Sequence, residues 1–399
     1  MAGSMIGSGV YLLPASLGQV GSIAILAWGA AIVAAFVFAG VFVRLVALPG
    51  GKRGFIASIT DAFGTRTGFV AAALYWLQGM LGNVALALAV TGYLQAVVPV
   101  LRHGAAATAC TVAVIWTFTA LNLAGPRLVA RLEGWTLVLG LVPVLAIATV
   151  GWFWFDPAIF AASWNVSGQD GHATLVPTTV LILWAFLGLE SACLAAGVVR
   201  DPARTLPIAT LGGVLLAAAI YLSACTALTG ILPAVALAGS SAPFADAAAR
   251  MGTPVLGAIV AWCAALKASG TLGGWVLLTT ESGRLALARE ARPSGSMARH
   301  LVAGGVMLTL VIVAIADPSI GRQFTIAINA AVVVMLCVYA LAGAALVRLG
   351  ARWDGALGLA GMAIVAAALA SQERAMLLLA LFAGVAALLL WWVRERRIS

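Results

Sequence analysis

The stretch SIAILAWGAAIVAAFVFAGVFV, residues 22–43, carries no charge over its whole length. Coiled as a helix, it crosses a bilayer core about 30 Å thick, which takes about 20 residues. GWTLVLGLVPVLAIATVGWFW, residues 134–154, has the same property. Segments of this kind recur along the chain, of which 63% is hydrophobic and only 9% charged. A soluble domain carries about 25% charged residues, so this chain belongs in lipid. The expected fold class is an all-α polytopic membrane protein. Hydropathy places about twelve spans, at 3–18, 22–48, 67–98, 105–124, 134–155, 174–199, 206–232, 254–280, 300–316, 324–347, 355–371 and 375–393. Most connections are short, so residues 1–399 read as a single membrane domain.

Orientation follows from the basic residues, which favour cytoplasmic loops. With both termini in the cytoplasm, about 17 lysines and arginines fall in inside loops and only Arg102, Arg250, Arg322 and Arg374 outside. Lys267 alone is left within a span. The net charge of +9 is thereby accounted for by topology in the cell (inner) membrane, and no basic run suggests a nucleic-acid partner. Cys110, Cys193, Cys225, Cys263 and Cys337 lie in apolar spans at unrelated spacings, which suits neither a disulfide framework nor zinc. No metal, no cofactor and no enzymatic nucleophile–base pair is expected.

Two spans look interrupted. The first reads MAGSMIGSGVYLLPASLG, with Gly3, Gly7 and Gly9 close together. Glycine costs a helix interior about 1 kcal/mol relative to alanine. A break inside a membrane survives where it lines a polar cavity. There, one half-helix offers N–H groups to a carboxylate and the other offers carbonyls to an ammonium. Close-spaced glycines also serve plain helix packing. The sixth span, LILWAFLGLESACLAAGVVRDPART, sets Gly188 and Ser191 around Glu190. An acid near the bilayer centre costs about 2.5–3.5 kcal/mol on insertion scales, so it is a functional candidate. Spans one and six occupy corresponding positions if spans one to five and six to ten are two inverted halves. Paired interruptions of that kind point to a transporter's central site.

Four segments, GSMIGSGVYLLPASLG, LYWLQGMLGNVALALAVTGYL, LWAFLGLESACLAAGVVRDPARTLPIAT and LGGWVLL, together strongly resemble the amino acid–polyamine–organocation (APC) superfamily of transporters. Within it they look most like the bacterial arginine/agmatine and lysine/cadaverine antiporters. The resemblance runs from residue 1 to about residue 282 and continues more weakly beyond. It implies a first repeat over 1–155, an inverted second repeat over 174–348 and two accessory helices over 355–393, usually as a homodimer. The implied activity is exchange of a basic amino acid for its decarboxylated amine by alternating access. Ser8 and Gly9 match the pair that binds the substrate carboxylate. The carbonyls of Met5, Trp184 and Leu187 match those that hold the α-ammonium. Asn83 and Trp275 match groups around the side-chain cation, and Tyr75, Glu190 and Tyr339 match gate and coupling positions.

The residue chemistry is compatible with these roles. Tyr75, Gly79 and Asn83 share one helical stripe at i, i+4 and i+8. An indole face attracts a desolvated cation by about 2 kcal/mol, which suits Trp184 and Trp275. Trp184 and Glu190 are six residues apart, about 240° around an ideal helix, so they share a site only if the helix breaks near Gly188. Departures from the family also stand out. The chain starts almost at the first break, so either its true start lies upstream or the inner gate is incomplete and transport fails. Ser4, Ala331 and Met335 replace an asparagine, a serine and a threonine, leaving a more apolar side-chain pocket. Lys267 sits mid-span on one stripe with Thr271 and Trp275, where its ammonium would imitate a bound cation between spans one and eight. A proton-coupled uptake permease of the same superfamily is the alternative activity. The basic segment 283–299 reads as an amphipathic helix without assigned chemistry.

Overall fold

The computed structural model describes residues 9–194, 199, 201–286 and 296–396, and every regular element among them is helical. The helices that match the expected spans are α1 (Gly9–Gly18), α2 (Ala24–Ala47), α3 (Thr65–Val97), α4 (Gly104–Ala124), α5 (Pro126–Thr149) and α6 (Gly171–Leu183). They continue as α7 (Pro202–Ile231), α8 (Pro254–Ala286), α9 (Met297–Ala314), α10 (Ile320–Leu349), α11 (Arg352–Ala370) and α12 (Arg374–Arg396). Ten of these are long and apolar enough to cross a membrane. The exceptions are α1 and α6, the two expected to be interrupted, whose described helical runs are too short to cross alone.

Helix α3 is the axis of the bundle. It is buried along most of its length and packs closely on α8 and α10. The outward faces of α9 and α12 carry exposed Val306, Leu310, Leu381 and Phe382, as a helix bounded by lipid requires. Hydropathy misplaced one boundary of consequence. Span five was expected from residue 134, yet α5 begins at Pro126 and carries Glu133 in its second turn. Of the segment 283–299, the described residues belong to the ends of α8 and α9 rather than to a separate helix.

Short helices fill the connections. Phe55–Phe63 lies before α3, Pro157–Ala162 before α6, and Ala234–Gly239 and Pro243–Met251 lie between α7 and α8. The last two hold α1 in place. A Cβ on Gly18 would collide with the backbone of Leu237 and Ala238, so α1 and Ala234–Gly239 meet closely. Beyond α1 the chain turns at Gly21, whose φ of 99° lies in the region that glycine alone enters without strain. There Ser22 N–H donates to Ser163 O at 2.8 Å, Ile23 N–H to Trp164 O at 2.7 Å, and Val166 N–H to Val20 O at 3.1 Å.

At the opposite end of α2, Arg44 reaches α11. Its Nε donates to Asp354 Oδ1 at 2.5 Å and its Nη2 to Oδ2 at 3.2 Å, while Ala351 N–H donates to the same carboxylate at 3.1 Å. The Asp354 side chain is buried, so its removal leaves three donors unmatched. Asp354→Asn is expected to cost roughly 1–3 kcal/mol, read as a lower melting temperature of the detergent-solubilised protein. Asp61→Asn breaks the exposed Arg53–Asp61 pair and should stay within about 1 kcal/mol of the parent.

Candidate functional site

Span six does come apart. Helix α6 tightens into a 3-10 turn over Trp184–Phe186, Leu187 is extended at φ −61° and ψ 139°, and Gly188 takes φ 100°. The helix resumes over Ser191–Leu194. A side chain at Gly188 would be strained, which is why this position reads as glycine. Trp184 and Glu190, on different faces of an ideal helix, are thereby placed on either side of one break.

The break satisfies its own backbone with two side chains. Gly188 N–H donates to Glu190 Oε2 at 3.1 Å, and Ser191 Oγ donates to Gly188 O at 2.6 Å. Glu190 is fully buried and holds two further donors from other helices. Tyr339 on α10 donates to Oε2 at 3.0 Å, and Tyr75 on α3 to Oε1 at 3.4 Å. One carboxyl group thus ties α3, α6 and α10 together. Phe42 and Phe55 pack edge-on against Tyr339 and Tyr75 respectively, and Phe38 lies 4.7 Å from Tyr339. The clasp is walled by rings, and such surroundings strengthen each of its hydrogen bonds.

Beside the clasp, polar groups stand unpaired. Among the described residues no donor bonds the Leu187 carbonyl, whereas the Trp184 carbonyl accepts from Leu187 N–H at 3.2 Å. Trp184 Nε1, Asn83 Oδ1 and both amide atoms of Gln78 are buried without a partner among the described residues. Native structures pair about 90% or more of such groups. The Trp184 ring lies across Gly82 of α3, close to the Gln78 amide, and meets Phe324 edge-on at 6.5 Å. Asn83 Nδ2 donates to Thr279 Oγ1 on α8 at 3.3 Å, where Gly79 lets the two helices approach. Trp275 is half-buried one turn before Thr279.

Of the residues singled out by sequence, Tyr75, Glu190 and Tyr339 are brought into direct contact. Trp184, Leu187 and Asn83 line the adjoining α3–α6 region. Gly9 is the first described residue of α1, and Met5 and Ser8 lie outside the described residues. Gln78 was missed. It is a buried amide three residues after Tyr75, and the stripe through Tyr75, Gly79 and Asn83 passes beside it.

Lys267 forms a second polar cluster with α5 and α1. It is 1% exposed, and its Nζ donates to Thr271 Oγ1 at 2.9 Å. Its Cβ and Cγ press on Gly140 of α5, where any larger residue would collide. The Gly140 carbonyl accepts from Tyr11 of α1, and Tyr93 of α3 donates to the Tyr11 carbonyl at 2.7 Å. Glu133 of α5 packs its carboxylate over Gly274 of α8 and interacts electrostatically with Lys267. Glu133 was also missed, because hydropathy placed it just outside its span. No group of three or more metal-ligating side chains occurs among the described residues.

Comparison with known proteins matches the sequence to a class of carriers. The chain is 39% identical over 287 residues to the cadaverine/lysine antiporter of Escherichia coli strain K12, covering 71% of this chain and 64% of that protein. The chain thus spans just under two thirds of that antiporter's length. It is 32% identical over 361 residues to the putrescine transporter PotE of the same strain, covering 86% of this chain and 80% of the relative. PotE of Haemophilus influenzae is 30% identical over 357 residues, at 86% and 81%. The match to the amino acid permease family extends over residues 1–394. The chain belongs to that family, and ten helices among its described residues are long and apolar enough to cross a membrane.

Proposed function

We propose that this permease is a secondary antiporter that takes up a basic amino acid and releases its decarboxylated amine by alternating access. The observation that carries it is the break at Gly188, beside which the Leu187 carbonyl and several buried polar atoms find no partner among the described residues. Carbonyls at a half-helix end suit an ammonium, the group that a basic amino acid and its amine share. Trp184 and Trp275 would flank the distal cation and Asn83 and Gln78 would hydrogen-bond it. Met5, Ser8 and Gly9 would bind the amino acid's own end. The relatives named for cadaverine, lysine and putrescine favour a lysine- or ornithine-sized side chain, with arginine and agmatine the next pair to test. The arginine excess would keep both termini in the cytoplasm.

In this scheme the Glu190 clasp is the gate. An ammonium bound at the Leu187 carbonyl would bring positive charge beside Glu190 and compete with Gly188, Tyr75 and Tyr339 for its carboxyl group, freeing α3 and α10 to part. Lys267 would place an ammonium at the meeting of α1, α5 and α8, doing without sodium what a bound cation would do there.

Exchange is tested in liposomes with purified protein. Uptake of labelled lysine should accelerate several-fold when the vesicles are preloaded with cadaverine, and the same with ornithine and putrescine or arginine and agmatine identifies the cargo. Uptake indifferent to every preload, driven instead by an imposed pH gradient, would replace exchange with proton-coupled import.

Tyr339→Phe removes one donor to a buried carboxyl group, a loss of about 1.5–3 kcal/mol. It should shift the gate towards its open form by about 10- to 100-fold, seen as faster labelling of a cysteine placed behind the gate. Glu190→Leu, which removes all three bonds, should abolish exchange.

Lys267→Met should reduce exchange and destabilise the protein by leaving Glu133 without its counter-charge. Lys267→Met combined with Glu133→Gln should recover stability but not transport. Additive stability losses in the double variant would show the two charges to be independent.

A further inference from the structure

A cleft of about 410 Å³ opens between α3, α8, α9 and α12, with no residue of the α6 break in its lining. It falls within the range of roughly 300–1,000 Å³ typical of small-molecule sites. Its walls are apolar, with Phe69, Trp76, Met307 and Leu390 prominent among them. Gly304 contributes no side chain, and a Cβ built there would meet no atom within 4 Å. One end of the cleft is basic. Arg299 and His300 line it in the first turn of α9, where the helix N-terminus adds positive potential. Among the described residues no acid pairs with Arg299. His300 uses Nδ1 against Ser296 O at 3.0 Å, which leaves Nε2 for a ligand. The Arg394 guanidinium sits 5.5 Å above the ring of Phe69 at the same rim.

A long apolar wall with cations at one end, among helices whose outer faces meet lipid, is complementary to one class of molecule. We propose that this cleft binds an anionic glycerophospholipid, with an acyl chain laid along Phe69, Trp76 and Leu390 and its phosphate against Arg299 and His300. A peptide would leave backbone donors and acceptors unpaired against a wall so poor in polar groups. A zwitterionic lipid fits the wall equally well but carries a cation towards Arg299 and Arg394. Juxtamembrane arginines attract anionic lipid by about 1 kcal/mol each, so charge is the discriminating feature. Trp76 and Met80 also face the cleft from α3, on a stripe turned about 100° from the one that carries Tyr75 and Asn83. A lipid seated there supports the central helix from outside the transport path.

The test is native mass spectrometry of the full chain released from micelles that contain equal amounts of dioleoyl phosphatidylglycerol and dioleoyl phosphatidylcholine. One phosphatidylglycerol per chain should survive at collision energies that strip phosphatidylcholine, in several-fold excess. Arg299→Gln with His300→Gln should abolish the preference between headgroups. Gly304→Leu, which fills the cleft from a position with open space around it, should lower retention of both lipids. Equal retention of the two lipids by the parent protein overturns the proposal, as does phosphatidylglycerol retention unchanged in both variants. Because none of these readouts involves transport, they stand apart from the assignment of cargo.

Discussion

A helix that breaks inside a bilayer must find new partners for its backbone, because the surrounding hydrocarbon offers none. Here the partners come from the break itself. Glu190 accepts from the Gly188 N–H and Ser191 donates to the Gly188 carbonyl, so the two groups that an intact helix would have paired are closed off by neighbours two and three residues away. That solution brings a carboxyl group to the centre of the protein, where it needs more donors than the break supplies. Tyr75 and Tyr339 provide them. The local requirement of one glycine is met by joining three helices.

The bundle was legible in the sequence because lipid imposes a length on apolar runs that water does not. The ten long spans and the two short ones were all visible as such. The α6 break was legible for a different reason: Gly188 and Glu190 are both costly in a buried helix, and their adjacency makes sense only where the helix ends. Glu133 and Gln78 were not legible. Hydropathy averages over a window and assigns a charged residue at its edge to the loop, so Glu133 was placed outside the span although it faces α8. Gln78 lies on a helix buried nearly all round, where periodicity cannot say which face holds a site. The short helices between spans were missed because, at six to nine residues, they are too short to cross a bilayer and pack on the spans beside them.

The contact between α5 and α8 rests on small residues placed opposite large ones. Gly140 receives the stem of Lys267, and Gly274 receives the carboxylate of Glu133. The exchange of knob and hole between the two helices brings opposite charges within range across the seam. A membrane lysine is expensive alone, and its cost here is offset by Thr271 and by the field of Glu133. The same packing gives Tyr11 a place to donate, so α1 senses the seam through a single carbonyl.

The turn at Gly21 joins parts of the chain that are far apart in sequence. Three backbone bonds stitch it to residues 163–166, and the adjoining end of α1 rests on Ala234–Gly239. Backbone bonds of this kind do not slide as side-chain contacts do. The outer ends of α1, of the approach to α6 and of the α7–α8 connection therefore form one stiff plate. A movement that tilts any of them carries the others, so α1 and the approach to α6 are geared together on that face and tilt in concert rather than in turn.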